Sequence, residues 1–285
     1  MKYLITGAGG QLGKQWVEFL DKEKKEFTAF DSSQFDITDY RKTDRIFRKE
    51  EPEIVINCAA YTDVDGAEDH PIIAFKTNKD AVAHIAKKCL EFNACLIHFS
   101  TDYVFPGRNE DMSKYPEGYP EEAETGPKNV YGKSKLAGEK AIYESGVHYI
   151  VIRISWLCGK YGNNFVKTML RLSESKKNLR VVNDQFGSPT FTDGLVAATQ
   201  FLIDKKMAGT YHFTSRGIIS WFDYASAIFE IKKKDINLEP VSSTEFNSVA
   251  SRPAFSKLST LKIESLNSDL VTGWRAGLEK LLKSL

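Results

Sequence analysis

Lys2-Tyr3-Leu4-Ile5-Thr6-Gly7-Ala8-Gly9-Gly10-Gln11-Leu12-Gly13 decides the fold. Tyr3-Leu4-Ile5 is a short apolar run, and Gly7, Gly10 and Gly13 follow it at once. From Gln11 onward, Leu12, Trp16, Phe19 and Leu20 recur at helical spacing as far as Lys24. Strand, glycine turn and helix in immediate succession suit a dinucleotide pyrophosphate. The glycines allow a tight turn, close backbone approach to the phosphates, and a helix packed close on the strand. The helix start adds free N–H groups and a partial positive charge. Three glycines can also make a ligand-free turn; their place between a clear strand and a clear helix favours the phosphate loop.

Working outward, residues 27–30 read as a second strand closed by Asp31. An acid there can hold a ribose 2′-hydroxyl and favours NADH over NADPH. Asp31 with Ser32 and Ser33 equally suits an exposed turn. Asp36 and Ile37 are further candidates to border the adenine, and no basic residue directly after this strand claims a 2′-phosphate. Asp36 or Thr38 can cap a helix running to Lys49. Ile54-Val55-Ile56, between Pro52 and Asn57, suits a strand buried on both faces of a parallel sheet.

A long helix is expected over about 72–92, a fourth strand over 94–99, a loop rich in Gly, Pro, Glu and Tyr over 105–128, a helix over 129–144 and a strand over 149–154. This alternation predicts an α/β fold, a doubly wound parallel sheet of Rossmann type, over residues 1–154. Beyond it, helices are expected over 165–175, 193–204, 221–229 and 278–285, with short strands near Val181 and Tyr211. Residues 155–285 then form a smaller α/β substrate-binding lobe over the carboxyl edge of the sheet. The boundary is soft, because such lobes borrow strands from the main sheet.

The rest of the composition narrows the class. The 39 basic and 38 acidic residues of this 285-residue chain nearly cancel, so no overall field favours nucleic acid or an anionic membrane. Cys58, Cys89, Cys95 and Cys158 form no C-x-x-C pair and have no histidines at zinc spacing, so neither a metal site nor a disulfide framework is expected. Met1 leads straight into a strand and no apolar run approaches the roughly 18–20 residues that span a bilayer. A cytoplasmic location is the expectation.

Tyr131-Gly132-Lys133-Ser134-Lys135 places Tyr131 and Lys135 at i and i+4 on one helix face. A ketone becoming an alkoxide needs a proton donor, and a tyrosine with a pKa of about 10 is a poor one unaided. A nearby ammonium favours the phenolate and lowers that pKa. The same lysine can reach a nicotinamide ribose. Thr101, at the end of the fourth strand, can hydrogen-bond the ketone oxygen. Strand alternation should send Ser100 and Asp102 the other way.

With the glycine loop, Ser100-Thr101-Asp102-Tyr103-Val104-Phe105 and Tyr131-x-x-x-Lys135, the chain resembles the extended short-chain dehydrogenase/reductase superfamily. Within it the resemblance is to the dTDP-4-dehydrorhamnose reductases. Asn57-Cys58-Ala59-Ala60-Tyr61-Thr62-Asp63-Val64-Asp65, Arg153-Ile154-Ser155-Trp156-Leu157, Asn164-Phe165, Asp184 to Thr190 and Arg252-Pro253 carry it along essentially the whole chain. The resemblance implies reduction of a C4 ketone on a nucleotide-linked sugar by NADPH, with NADH also accepted. It implies Tyr131, Lys135 and Thr101 as catalytic residues. The cofactor would be lined by Gly7, Gly10, Gln11, Leu12, Gly13, Asp31, Asp36, Ile37, Ala59, Ala60 and Tyr61, with Tyr131 and Lys135. The substrate would meet Thr62, Val64, Asp102, Tyr103, Trp156, Asn164 and Arg252, the last offering a fork to the diphosphate. Trp156 also suits a strand-end core position, Arg252 a Ser-rich surface loop, and Asn164 a helix cap.

Some relatives form homodimers bridged by magnesium. Glu18 is the acid nearest the middle of the first helix here, beside Gln15 and Trp16, so magnesium is not carried over. Two other readings stand beside this one. A sister epimerase or dehydratase would retain its nicotinamide, and a dehydratase would want an Asp-Glu pair where Asp102-Tyr103 stands. A regulatory subunit of methionine adenosyltransferase type would bind without turning over.

Overall fold

The computed structural model describes residues 1–246 and 248–285. In chain order it runs β1 (Lys2–Thr6), α1 (Gln11–Lys22), β2 (Glu26–Phe30), α2 (Tyr40–Glu50), β3 (Ile54–Asn57), α3 (Val64–Asp69) and α4 (Pro71–Phe75). A π-helical turn (Lys76–Asp80) then leads into α5 (Ala81–Glu91), β4 (Cys95–Thr101), a 3₁₀ turn (Asp102–Val104), α6 (Asp111–Lys114), α7 (Val130–Ser145) and β5 (Tyr149–Ile154). The rest comprises β6 (Leu157–Cys158), α8 (Phe165–Ser175), β7 (Asn178–Val182), β8 (Phe186–Gly187), β9 (Thr190–Phe191), α9 (Thr192–Asp204) and β10 (Gly209–His212). It ends with β11 (Ile219–Ser220), α10 (Trp221–Ile231), β12 (Asn237–Val241), α11 (Ser243–Phe246), α12 (Leu261–Leu266), a 3₁₀ turn (Ser268–Leu270) and α13 (Trp274–Ser284).

Six strands form one sheet in the order β10-β5-β4-β3-β1-β2, every neighbouring pair parallel. The order reverses at β1, with β2 on one side and β3 on the other. The glycine loop therefore opens at the topological switch point, where the crevice of such sheets lies. Strand residues alternate between two apolar layers, because helices cover both faces. Tyr3, Ile5, Ile56 and Ile97 pack with Trp16 and Leu20 of α1 and Leu195 and Leu202 of α9. Leu4, Val55, Leu96 and Val151 pack against Phe47 of α2, Val82 and Ile85 of α5 and Ile142 of α7.

The helix expected over 72–92 exists, with the π-helical turn inside it. Asn78 in that turn holds both backbone groups of Tyr61, at 2.9 and 3.0 Å, and donates to Ser134 of α7 at 2.9 Å. One extra residue per turn aims this amide sideways, the use to which π-turns are often put. Gly138 lets α7 come close: a Cβ there would lie 2.1 Å from the Asn78 carbonyl oxygen.

Residues from the second half of the chain complete the large sheet. α9 covers one of its faces and β10 extends its edge. A separate apolar cluster joins α8, β7, α10 and α13 over the carboxyl edge. The segment over 105–128 has little regular structure, yet it is packed. Phe105 stacks on Tyr119 at 4.5 Å, and both pack with Phe255 and Leu258. Buried Arg153 donates to the carbonyl of Glu121 at 2.9 Å and pairs with buried Glu139 at 2.7 Å, fixing this segment to the sheet. Among the described residues no helix is long and apolar enough to cross a membrane.

Candidate active site

A cleft of about 750 Å³ runs along the carboxyl edge of the sheet, from the glycine loop to the start of α7. Its floor is the glycine cradle. Gly7 holds φ +67°, and a Cβ on it would lie 2.6 Å from the Ala59 nitrogen. A Cβ on Gly13 would lie 2.2 Å from the Gly7 carbonyl oxygen, so only glycine lets α1 start this close to the loop. No side chain caps the N-terminus of α1. Its N–H groups stay available to phosphate oxygens. The cradle fits a dinucleotide. Ser32, Phe35, Asp36 and Ile37 line the end where an adenine would sit.

Asn129 caps α7 by accepting from the Gly132 N–H at 2.8 Å and donates to the Ser251 carbonyl at 2.8 Å. Tyr131 and Lys135 follow on the first two turns, and both line the cleft. The Lys135 ammonium is buried and donates to the Phe99 carbonyl at 2.6 Å. Burial pulls its pKa down to about 8, which the Glu139 carboxylate partly offsets. Burial also pushes the Tyr131 phenol up to about 12, with the Thr101 hydroxyl beside it working the other way. The cleft therefore holds the phenol protonated, the form a proton donor needs.

Thr101, Asp102 and Ser100 all line this cleft. The expectation that Asp102 turns away from Thr101 is corrected: the strand ends at Thr101 and the chain enters a 3₁₀ turn. Alternation stops there, and the Thr101 hydroxyl donates to the Asp102 carboxylate at 3.0 Å. Burial raises Asp102 to about 7, with hydrogen bonds from Ser256 and Thr101 opposing. Tyr103 meets the Tyr131 ring edge-on at 5.6 Å.

Gly7, Gly10, Gln11, Leu12, Gly13, Asp36, Ile37, Ala59, Ala60, Thr62, Val64, Tyr103 and Trp156 also line the cleft. Four expected residues do not. The Asp31 carboxylate accepts from the Ser33 N–H at 2.9 Å, the Ser33 hydroxyl at 2.6 Å and the Gln34 N–H at 3.0 Å. It closes the turn after β2, and those bonds hold it below the usual carboxylate range. Tyr61 is clamped by Asn78, and its hydroxyl lies toward Gly66 of α3. Asn164 caps α8 and donates to Gln11 Oε1 at 2.7 Å, so it acts on the cleft through Gln11. The Arg252 guanidinium forks onto Asp65 at 2.7 and 3.3 Å.

Arg252 lines a second cavity of about 260 Å³, which shares Tyr103, Trp156 and Trp221 with the first. Phe165, Arg180, Gln185 and Phe246 complete much of its wall. Trp156 takes φ +48° and lies flat on Trp221, ring centres 3.6 Å apart. Gly187 leaves the room for it: a Cβ there would lie 2.9 Å from the indole. By sequence Trp221 marks only the start of a helix. Its mark is a large aromatic directly after a capping serine, Ser220, where an ordinary helix needs none. Asn57, Ser32 and Phe35 carried no periodic signal.

Glu18, the acid weighed against magnesium, pairs with Lys160 and accepts from Gln15.

A parallel sheet with a glycine cradle at its switch point and a Tyr–Lys pair across the cleft defines a short-chain dehydrogenase/reductase site. The chain belongs to the family described as RmlD substrate binding domain, whose model matches residues 1–285. It is 39% identical over 284 residues to dTDP-4-dehydrorhamnose reductase of Mycobacterium tuberculosis, covering 99% of this chain and 92% of that protein. The crystal structure of dTDP-4-dehydrorhamnose reductase from Bacillus anthracis in complex with NADP superposes with a TM-score of 0.94 at 39% identity, covering 100% of this chain and 99% of that one. A UDP-glucose 4-epimerase of Thermus thermophilus in complex with NAD shares the fold, with a TM-score of 0.85 at 18% identity over 99% of this chain and 98% of that one.

Proposed function

We propose that this protein reduces the C4 ketone of dTDP-4-dehydro-β-L-rhamnose to dTDP-L-rhamnose, the last step of dTDP-rhamnose formation. The observation that carries this is the convergence of Tyr131, Lys135, Thr101 and the glycine cradle on one cleft. Bound NADPH supplies the hydride. Tyr131 gives its phenolic proton to the ketone oxygen as the alcohol forms, and regains one from solvent afterwards. Lys135 favours the transient phenolate by its charge. Thr101 positions the ketone oxygen by turning its one hydroxyl hydrogen from the Asp102 carboxylate to that oxygen. Trp156, resting on Trp221, gives the sugar a flat wall. Arg252 at the second cavity is placed to meet the diphosphate, which would have to compete with Asp65 for its fork.

NADPH is the proposed cofactor, with NADH also used. Asp31 is committed to its turn, and Ser32 borders the adenine end without a charge to reject a 2′-phosphate. The four free cysteines fit a reducing, cytoplasmic compartment.

The test is reduced-nicotinamide absorbance on adding dTDP-4-dehydro-β-L-rhamnose to the wild type and to Tyr131→Phe. Consumption matched mole for mole by dTDP-L-rhamnose, and reduced by roughly 10²–10⁴-fold in Tyr131→Phe, is expected. An epimerase or dehydratase would consume no added cofactor, and a regulatory subunit would not turn over. No consumption by the wild type with either cofactor would overturn the reading.

A further inference from the structure

Thr6, Asn57 and His98 stand side by side across three neighbouring strands, at one register of β1, β3 and β4. All three are buried. Thr6 Oγ1 lies 2.6 Å from the Asn57 carboxamide, whose other end lies 3.1 Å from His98 Nδ1. His98 Nε2 lies 3.3 Å from the Lys135 ammonium. A continuous polar row thus crosses the apolar sheet and ends on the lysine of the Tyr–Lys pair.

The chemistry of the row allows one assignment with a charged lysine. A neutral imidazole has one N–H and one lone pair, and an ammonium only donates. Nε2 must therefore accept from Lys135, and Nδ1 must carry the hydrogen. Thr6 Oγ1 here donates to Asn57 Oδ1 and Asn57 Nδ2 faces His98 Nδ1, so this assignment requires the Asn57 amide turned end for end, its oxygen accepting from Nδ1 and its NH₂ meeting Thr6. Burial, and next the charge of Lys135, hold the His98 pKa well below its ordinary value, so the ring stays neutral.

The row does not lead a proton anywhere. A carboxamide is not a proton relay at ordinary pH, and Thr6 is fully buried. What the row can do is aim. Of the three ammonium N–H groups, one goes to the Phe99 carbonyl and one to His98. The third is left for the cleft that Lys135 shares with Tyr131.

We propose that His98 is a positioning residue whose Nε2 lone pair fixes the direction of the Lys135 ammonium and helps keep it charged. This rests on the reading of Tyr131 and Lys135 as the proton-donating pair. The other groups facing Lys135 are accounted for. Cys58, after β3, is held neutral by burial. Glu139, one turn along α7, is forked onto Arg153. Tyr131, one turn before, is protonated.

Two substitutions separate aiming from packing. Glutamine at this position can place an oxygen near the site of Nε2, whereas asparagine reaches only as far as Nδ1. The first measurement is the ¹⁵N titration of the Lys135 amine in protein without cofactor or substrate. His98→Asn should move its midpoint down by about one pH unit, and His98→Gln should leave it close to wild type. Ketone reduction near neutral pH should fall about tenfold in His98→Asn with little change in KM, its alkaline limb moving down with the lysine. His98→Gln should keep most of the rate. A lysine midpoint that is unmoved in His98→Asn, or moved equally by both changes, overturns the proposal. The imidazole ¹⁵N shifts of the wild type give a check that needs no variant: Nδ1 protonated and Nε2 bare is expected, and the opposite tautomer overturns it. If the lysine responds as expected while no variant, nor the wild type, reduces the sugar ketone, the proposed reaction fails and the role of His98 stands.

Discussion

Gly132 sits directly against the carbonyl of Tyr103: a Cβ on Gly132 would lie 2.3 Å from that oxygen. The contact joins the first turn of α7, which carries Tyr131, to the 3₁₀ turn (Asp102–Val104) that follows Thr101. A methyl group there has backbone on the other side and cannot be accommodated by a side-chain rotation. Gly132→Ala should push α7 away from the strand end. Misplacement of about 1 Å can cost roughly 10²-fold in rate, so turnover should fall by about 10- to 100-fold while the cofactor still binds. Steady-state rates beside cofactor titration check this. A wild-type rate would mean the two turns are free to slide.

Lys135 sets a pH limit. Its pKa is drawn down to about 8 by burial. The ammonium is present below that value and lost above it, so kcat/KM for ketone reduction should be level near pH 7 and decline above about pH 8. Tyr131, held near 12, keeps its proton throughout this range. A pH–rate profile that stays flat to pH 10 would remove Lys135 from the proton-donating pair.

Asp102 trades stability for its place in the cleft. Its pKa rises from 3.8 to about 7, chiefly by burial. A carboxyl whose folded pKa is raised binds its proton more tightly in the folded state. Its stabilising effect is therefore full at low pH and declines as pH rises from about 4 to about 7. Asp102→Asn should then raise Tm at pH 8 more than at pH 5, by at most roughly 3 kcal/mol in stability, while lowering turnover. Equal Tm changes at both pH values would show that the folded carboxyl is already ionised at pH 5 and that burial does not raise its pKa.

The glycines of the phosphate loop are not equivalent. Gly13 meets backbone at 2.2 Å where a Cβ would stand, whereas Gly10 meets it at 3.3 Å. Gly13→Ala should weaken NADPH binding at least tenfold and lower Tm, because α1 must retreat from the loop. Gly10→Ala should have the smaller effect on both. Isothermal titration with thermal unfolding decides, and the reverse ranking would count against this loop geometry.

Much of this was legible in one dimension. Strands β1, β3 and β4 showed as apolar runs because helices cover both faces of a parallel sheet, and α7 placed Tyr131 and Lys135 together because helical spacing does so locally. The less legible parts follow a single pattern. Asp31 suits a ribose ligand and an exposed turn equally by sequence, and Ser33 and Gln34, two and three residues on, satisfy its carboxylate in the turn. Asp102 looked averted from Thr101 until the strand ended between them.

The sequence by itself determined the class of fold, the glycine loop between strand and helix and the i, i+4 placement of Tyr131 and Lys135, since each depends on residues within a few turns of one another. Only the tertiary structure decided that Asp65 holds Arg252, that Trp221 supports Trp156, and that Thr6, Asn57 and His98 align behind Lys135. These partners are far apart in the chain. No periodicity encodes their meeting, because it depends on strand order and register across the sheet. A lone histidine inside Leu96-Ile97-His98-Phe99 is simply a polar residue in an apolar strand until the sheet supplies its neighbours.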